Sequence, residues 1–170
     1  MFGIFNKDSR KGFSLVELMI VIGIIAVLSA VVLGSIGSSR AKARDARRKS
    51  DLVNIQVALR IYREENGSYP VTPGVWWGLS DNGGNRTVSG VNAYVPGLTP
   101  TYISVLPADP KGVTSGWSGY LYTSNGTNYK FLSHFDGPES FPSVGQPFYD
   151  PVRPTTAWMV CSGEPACSNW

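Results

Sequence analysis

Three kinds of side chain in this sequence are placed where they could do chemistry. The first is Glu17, a carboxylate within the apolar stretch Phe13-Ser14-Leu15-Val16-Glu17-Leu18-Met19-Ile20, directly after Ser9-Arg10-Lys11-Gly12. A carboxylate in an apolar helix costs about 2.5–3.5 kcal/mol at the centre of a bilayer and less near its edge, so Glu17 calls for a cationic partner. The second is the pair Cys161 and Cys167, the only cysteines. An oxidising compartment allows them a short disulfide loop around Gly163 and Pro165, stabilising by about 2–3 kcal/mol on chain-entropy arguments; a reducing one leaves two thiols. The third is His134, the only histidine. A single imidazole excludes a metal site built on several, and restricts any nucleophile–base pair to this one residue. The glycines at 83, 84 and 90 lie in a loop and not before a helix, so no phosphate-cradling motif is present. The chain reads as a non-enzyme.

The elements that position Glu17 begin with a hydrophobic run. Leu18 to Leu33 is sixteen residues without a charge, and 13–33 is 21 residues, or about 32 Å of helix against a bilayer core of about 30 Å. No small-residue cleavage site follows this run, so the only processing point for a leader lies before it. Lys11-Gly12 followed by Phe13-Ser14-Leu15-Val16-Glu17 resembles the processing site of type IV prepilins and of the pseudopilins of type II secretion. The resemblance implies that a prepilin peptidase cuts after Gly12, that Phe13 becomes an N-methylated terminus, and that Glu17 guides assembly. Cleavage would also create a cation, because a free α-amine has an ordinary pKa of about 7.7–8.0. Glu17 could then pair with Phe13 of its own chain or of a neighbour.

Four segments follow: a leader over 1–12, a transmembrane or filament-core half-helix over 13–36, an amphipathic half-helix over 37–66, and a globular β-rich head over 67–170. No proline interrupts the helix before Asn66-Gly67, which supplies its cap, and Pro70 follows. One helix from Phe13 to about Glu65 would be about 80 Å long. Leu52, Ile55, Leu59 and Tyr62 mark its apolar face, with Val53 and Ile61 widening the stripe. The net charge of +3 conceals an asymmetry: 40–49 holds six basic residues (Arg40, Lys42, Arg44, Arg47, Arg48, Lys49) against Asp45, whereas from Gly67 onward there are four basic and six acidic residues. The cluster points to membrane lipids before assembly and to ion pairing between subunits afterwards, in preference to nucleic acid.

In the head, 119–123 and 128–132 flank Asn125-Gly126 as a hairpin, and a further strand is expected over 156–160. Residues 71–118, rich in glycine and proline, suit a long connection with one or two short elements. Leu106-Pro107-Ala108-Asp109-Pro110 and 129–137 resemble the matching stretches of the major pseudopilin of type II secretion. In that relative a loop after the hairpin binds calcium, which implies the Leu132 carbonyl, Ser133 and Asp136 as a ligand set for a structural calcium ion; the plainer reading of Asp136-Gly137 is a turn.

The fold class expected is α+β and pilin-like: a long N-terminal helix, transmembrane and then amphipathic, packed on a small antiparallel sheet. The resemblance implies a subunit of a type IV pilus or pilus-like filament. Its partners would be other copies in a helical filament, the prepilin peptidase and an inner-membrane assembly platform. Before assembly it would sit as a single-pass protein of the inner membrane, with the head extracytoplasmic, and afterwards in an extracellular or periplasmic filament. Positive charge alone argues the reverse topology, since the leader nets +2 and the other flank +5; the processing site outweighs it. The alternatives are a pseudopilin acting in protein export, and a minor tip subunit for adhesion or DNA uptake.

Overall fold

The computed structural model describes residues 12–113, 115–134 and 137–170, and of residues 31–35 the backbone alone. The chain divides into two units, residues 1–40 and 41–170. Helix α1 runs Leu15–Asn66 without a break, as the absence of proline predicts. It stops where Gly67 takes a φ of +75° and donates its N–H to the Arg63 carbonyl at 2.8 Å, a conformation that glycine adopts without steric cost.

The second unit places the rest of α1 against a four-stranded antiparallel sheet in the order β1 (Trp77–Gly78), β2 (Gly119–Ser124), β3 (Tyr129–His134), β4 (Ala157–Cys161). The expected hairpin is β2–β3, in register from Gly119 opposite His134 to Ser124 opposite Tyr129. Its turn is held by Asn125, whose side-chain oxygen accepts from the N–H groups of Thr127 and Asn128 at 3.1 and 2.8 Å. β1 is the short element supplied by the long connection. A one-turn helix, α2 (Ala166–Asn169), follows β4. The architecture is α+β.

Strand alternation divides the sheet's side chains between two layers. Tyr120, Tyr122, Tyr129, Phe131, Trp158 and Val160 form the main core with Leu52, Ile55, Ala58 and Leu59 of α1, while Leu121, Leu132 and Ala157 form a second cluster with Trp76 and Met159. Val53 and Ile61 do not join this core: they are 44% and 46% exposed. Each lies one or two residues from a buried position, and a 100° step per residue carries it off the packed face.

Two buried ion pairs bracket the sheet. Arg48 is fully buried and grips Asp109 with both ends of its guanidinium, Nε to Oδ2 at 2.7 Å and Nη2 to Oδ1 at 2.8 Å. Its Nη1 donates to Asp45 Oδ1 at 2.9 Å. Asp45 also accepts from the Glu139 N–H at 2.9 Å and the Ser140 hydroxyl at 3.0 Å, which ties the segment after β3 to α1. In the second pair, Lys130 Nζ meets Asp150 at 2.9 Å and donates to the carbonyls of Cys167 and Trp170 at 3.3 and 2.7 Å.

Core tyrosines keep their hydroxyls satisfied: Tyr120 donates to Asp51 and Tyr122 to the Pro70 carbonyl, each at 2.7 Å, and Tyr94 to the Pro107 carbonyl at 2.9 Å. Burial raises all their pKa values, and that of Tyr129 to about 12.

Removing Arg48 strands Asp109 and Asp45, so Arg48→Met is expected to lose about 3–5 kcal/mol in urea unfolding; a loss under 1 kcal/mol would show the clamp to be dispensable. Alkali gives a second expectation. The unfolded chain releases its tyrosine protons near pH 10 while the folded head holds them, so stability is intact below about pH 10 and falls as pH rises toward 12. Tyrosinate absorbance should therefore appear together with unfolding, and ionisation at pH 10 with the fold intact would contradict the burial.

Candidate assembly site

Ser14 and Glu17 close the start of α1 on themselves. The Ser14 N–H donates to Glu17 Oε2 at 2.9 Å, and the Ser14 hydroxyl accepts from the Val16 N–H at 3.2 Å. This is a capping box, which satisfies donors left free at a helix start. The pattern Ser14-x-x-Glu17 is a capping signal in the sequence itself, independent of any countercharge. In the described structure Glu17 answers a backbone N–H instead of a cation.

From Leu18 to Ala30, α1 is apolar on every side: Leu18 is 59% exposed, Ile22 57% and Leu28 60%. A helix that is hydrophobic all round needs an apolar environment, and the described residues of its own unit leave its side chains exposed. Among the described residues, a Cβ added at Gly23 or Gly37 would meet no atom of another part of the chain within 4 Å. Among the described residues, no helix is long and apolar enough to cross a membrane. The expected span over 13–33 draws its last residues from 31–33, whose side chains lie outside the description.

The basic cluster is divided by its surroundings. Arg44 meets Glu139 at 2.6 Å, where Lys111 also approaches to 3.0 Å; Arg48 is the buried clamp; the Lys49 ammonium lies 5.0 Å from the centre of the Trp158 ring. Lys111, and after it Arg44, hold the Glu139 carboxyl below its ordinary pKa. Three of the six cations thus serve the head, which corrects the reading of the whole cluster as a surface for lipid or subunits. Arg40, Lys42 and Arg47 remain exposed.

Of the calcium set, Leu132 lies in β3 between Leu121 and Met159, so its carbonyl already serves a sheet ladder. Among the described residues the buried Ser133 hydroxyl has no hydrogen-bond partner, and it and Asp109 Oδ2 both flank Gly137. That carboxylate is already taken by Arg48. Calcium needs six to eight oxygens, and among the described residues no group of three acidic, histidine or cysteine side chains converges. The calcium set rests on Asp136, which lies outside the described residues.

His134 ends β3, with Nδ1 2.8 Å from the Trp117 carbonyl, and burial lowers its pKa. Cys161 and Cys167 are joined as a disulfide.

Residues 7–33 match the family described as the prokaryotic N-terminal methylation motif. Type II secretion system core protein G of Escherichia coli (strain K12) is 34% identical over 113 residues, covering 62% of this chain and 69% of that protein. The protein of the same name from Pectobacterium carotovorum subsp. carotovorum is 31% identical over 135 residues, 79% of this chain and 80% of that one. The one from Vibrio cholerae serotype O1 is 31% identical over 144 residues, 82% and 91%. No solved structure matches the chain. With a prepilin-type start and similarity that reaches into the head, the chain belongs to the type IV pilin and type II secretion pseudopilin family.

Proposed function

We propose that this chain is the repeating subunit of a type II secretion pseudopilus, a periplasmic filament assembled from the inner membrane, and not the fibre subunit of a surface pilus. The similarity to core protein G over 82% of the chain carries the choice, because it includes the head as well as the shared N-terminal motif. The role is structural. The all-round apolar first half of α1 rests in lipid before assembly and in a bundle of like helices afterwards, keeping apolar side chains in apolar surroundings throughout. The disulfide suits a head exported to an oxidising compartment.

In this reading a prepilin peptidase cleaves between Gly12 and Phe13. The new α-amine of Phe13 lies at the helix start, where the Ser14 N–H now holds Glu17. A neighbour's amine offers a full charge in low dielectric, a stronger partner than a neutral N–H. Exchange of the capping contact for that pair would set the register between subunits. Asp45 ties Glu139 and Ser140, beyond β3, to α1 by accepting from the Glu139 N–H and the Ser140 hydroxyl.

Mass spectrometry and N-terminal sequencing of the membrane form should find a chain beginning at Phe13; an intact leader would overturn the proposal. Glu17→Gln retains a capping acceptor and removes the charge, so it and Glu17→Val should both be processed yet assemble poorly. Normal filaments from Glu17→Gln would reduce Glu17 to a cap. For the calcium set of Leu132, Ser133 and Asp136, a melting temperature that rises with millimolar calcium and falls on chelation is the expected outcome; one indifferent to both would remove the metal site.

A further inference from the structure

The face of the sheet turned away from Leu52, Ile55 and Leu59 carries its own small cluster, in which Trp76 packs beside Leu121, Leu132 and Ala157. The Trp76 indole lines two hollows. One, of about 180 Å³, is largely apolar, with Trp117, Leu121 and Leu132 in its wall and Arg153 at its edge. The other, of about 310 Å³, is mixed: Trp76 and Trp170 supply aromatic surface, while Thr72, Thr123, Ser124 and Asn125 supply hydroxyls and an amide. Among the described residues that line this second hollow, none has an ionisable side chain.

Both indoles are fixed. The Arg153 guanidinium carbon lies 5.2 Å from the centre of the Trp76 ring, and Arg153 Nη1 donates to the Trp170 carbonyl at 2.9 Å. Lys130 Nζ donates to the same carbonyl at 2.7 Å, and the Cys161–Cys167 disulfide closes the loop that leads to it. The polar groups are ordered as well. Asn125 commits its side-chain oxygen to the N–H groups of Thr127 and Asn128, which leaves its exposed amide NH2 as a donor. The Thr123 hydroxyl lies 3.3 Å from that of Thr72, a contact that uses one lone pair at most and leaves an acceptor.

We propose that the mixed hollow binds one neutral pyranose residue of a glycan chain, its C–H face on indole and its hydroxyls on Asn125 and Thr123. A charged ligand would lose water there without a countercharge. A wholly apolar one would cover the Asn125 amide and the Thr123 hydroxyl without pairing them. A sugar meets both demands, being apolar on the faces of its ring and hydrogen-bonding at its rim. The volume lies at the small end of ordinary ligand pockets, about 300 Å³, which suits a single residue. The apolar hollow shares Trp76 and offers Trp117, 39% exposed, to the next residue of the chain. On the periplasmic filament reading, the glycan within reach of the head is that of the cell wall, a polymer of N-acetylated hexoses. The source rests on that reading; the chemistry of the pocket does not.

The test uses the full chain in micelles of a detergent that carries no sugar, titrated with the tetramer of N-acetylglucosamine and followed by tryptophan fluorescence. Saturation is expected, with a half-point below about 1 mM. Trp76→Ala should weaken binding about tenfold. Because Trp76 also packs the second cluster, Thr123→Val supplies the variant that keeps its shape: binding should weaken about threefold at an unchanged melting temperature. Full affinity in both variants would put the sugar elsewhere and overturn the site, and a flat titration up to about 10 mM would overturn the glycan altogether. Tighter binding of N-acetyltryptophanamide than of the tetramer would assign the hollow to a protein side chain instead. The chain should also sediment with purified cell-wall sacculi and be released by the tetramer; failure to sediment despite tetramer binding would overturn the wall as the source. An intact leader would remove the filament reading and leave the titration unchanged, whereas a flat titration removes the pocket and leaves the filament standing.

Discussion

The grip of Arg48 on Asp109 is the contact on which the arrangement of the head depends. A guanidinium this deeply buried is tolerable only when each of its faces is met, and here two carboxylates meet it. One of them, Asp45, lies on the same helix and reaches onward to the backbone of Glu139. The other, Asp109, belongs to the connection ahead of β2 and also accepts from the Lys111 N–H at 2.9 Å. A single buried cation therefore fixes three parts of the chain that are far apart in sequence. The apolar contacts of Leu52, Ile55 and Leu59 supply most of the driving force, but they do not specify direction; the bidentate geometry does.

Much of this was legible in the sequence because it is local. The uninterrupted helix follows from missing prolines, its end from Asn66-Gly67, the hairpin from Asn125-Gly126, and the cleavage motif from a short run of adjacent residues. The partners of the basic cluster were not legible. Arg48 and Arg47 are neighbours with the same side chain, yet one is buried and the other exposed; the difference is the helix phase relative to a carboxylate 61 residues away. The misassignment of Val53 and Ile61 has the same origin, since a stripe on a helical wheel can be drawn wider than the surface that covers it. The capping role of Glu17 was readable and was hidden by a stronger expectation.

Helix α1 works in two solvents. Its first half is apolar all round and carries a capped start; its second half puts aliphatic residues toward the sheet and small, branched and charged residues outward. The change occurs at the basic cluster, where cations of one segment divide between interior ion pairs and the surface. A composition that looks like a single electrostatic patch is two functions interleaved at helical spacing.

All of the main core of the head comes from residues 52–160, and both the buried ion pairs and the disulfide lie within the second unit. These contacts are made among residues of the second unit itself. On the proposed filament reading, maturation would run in stages, with the head closing and oxidising while its anchor still rests in lipid. A subunit that failed to close would then be open to degradation before it was built in, and inspection of the monomer would come before growth of the polymer.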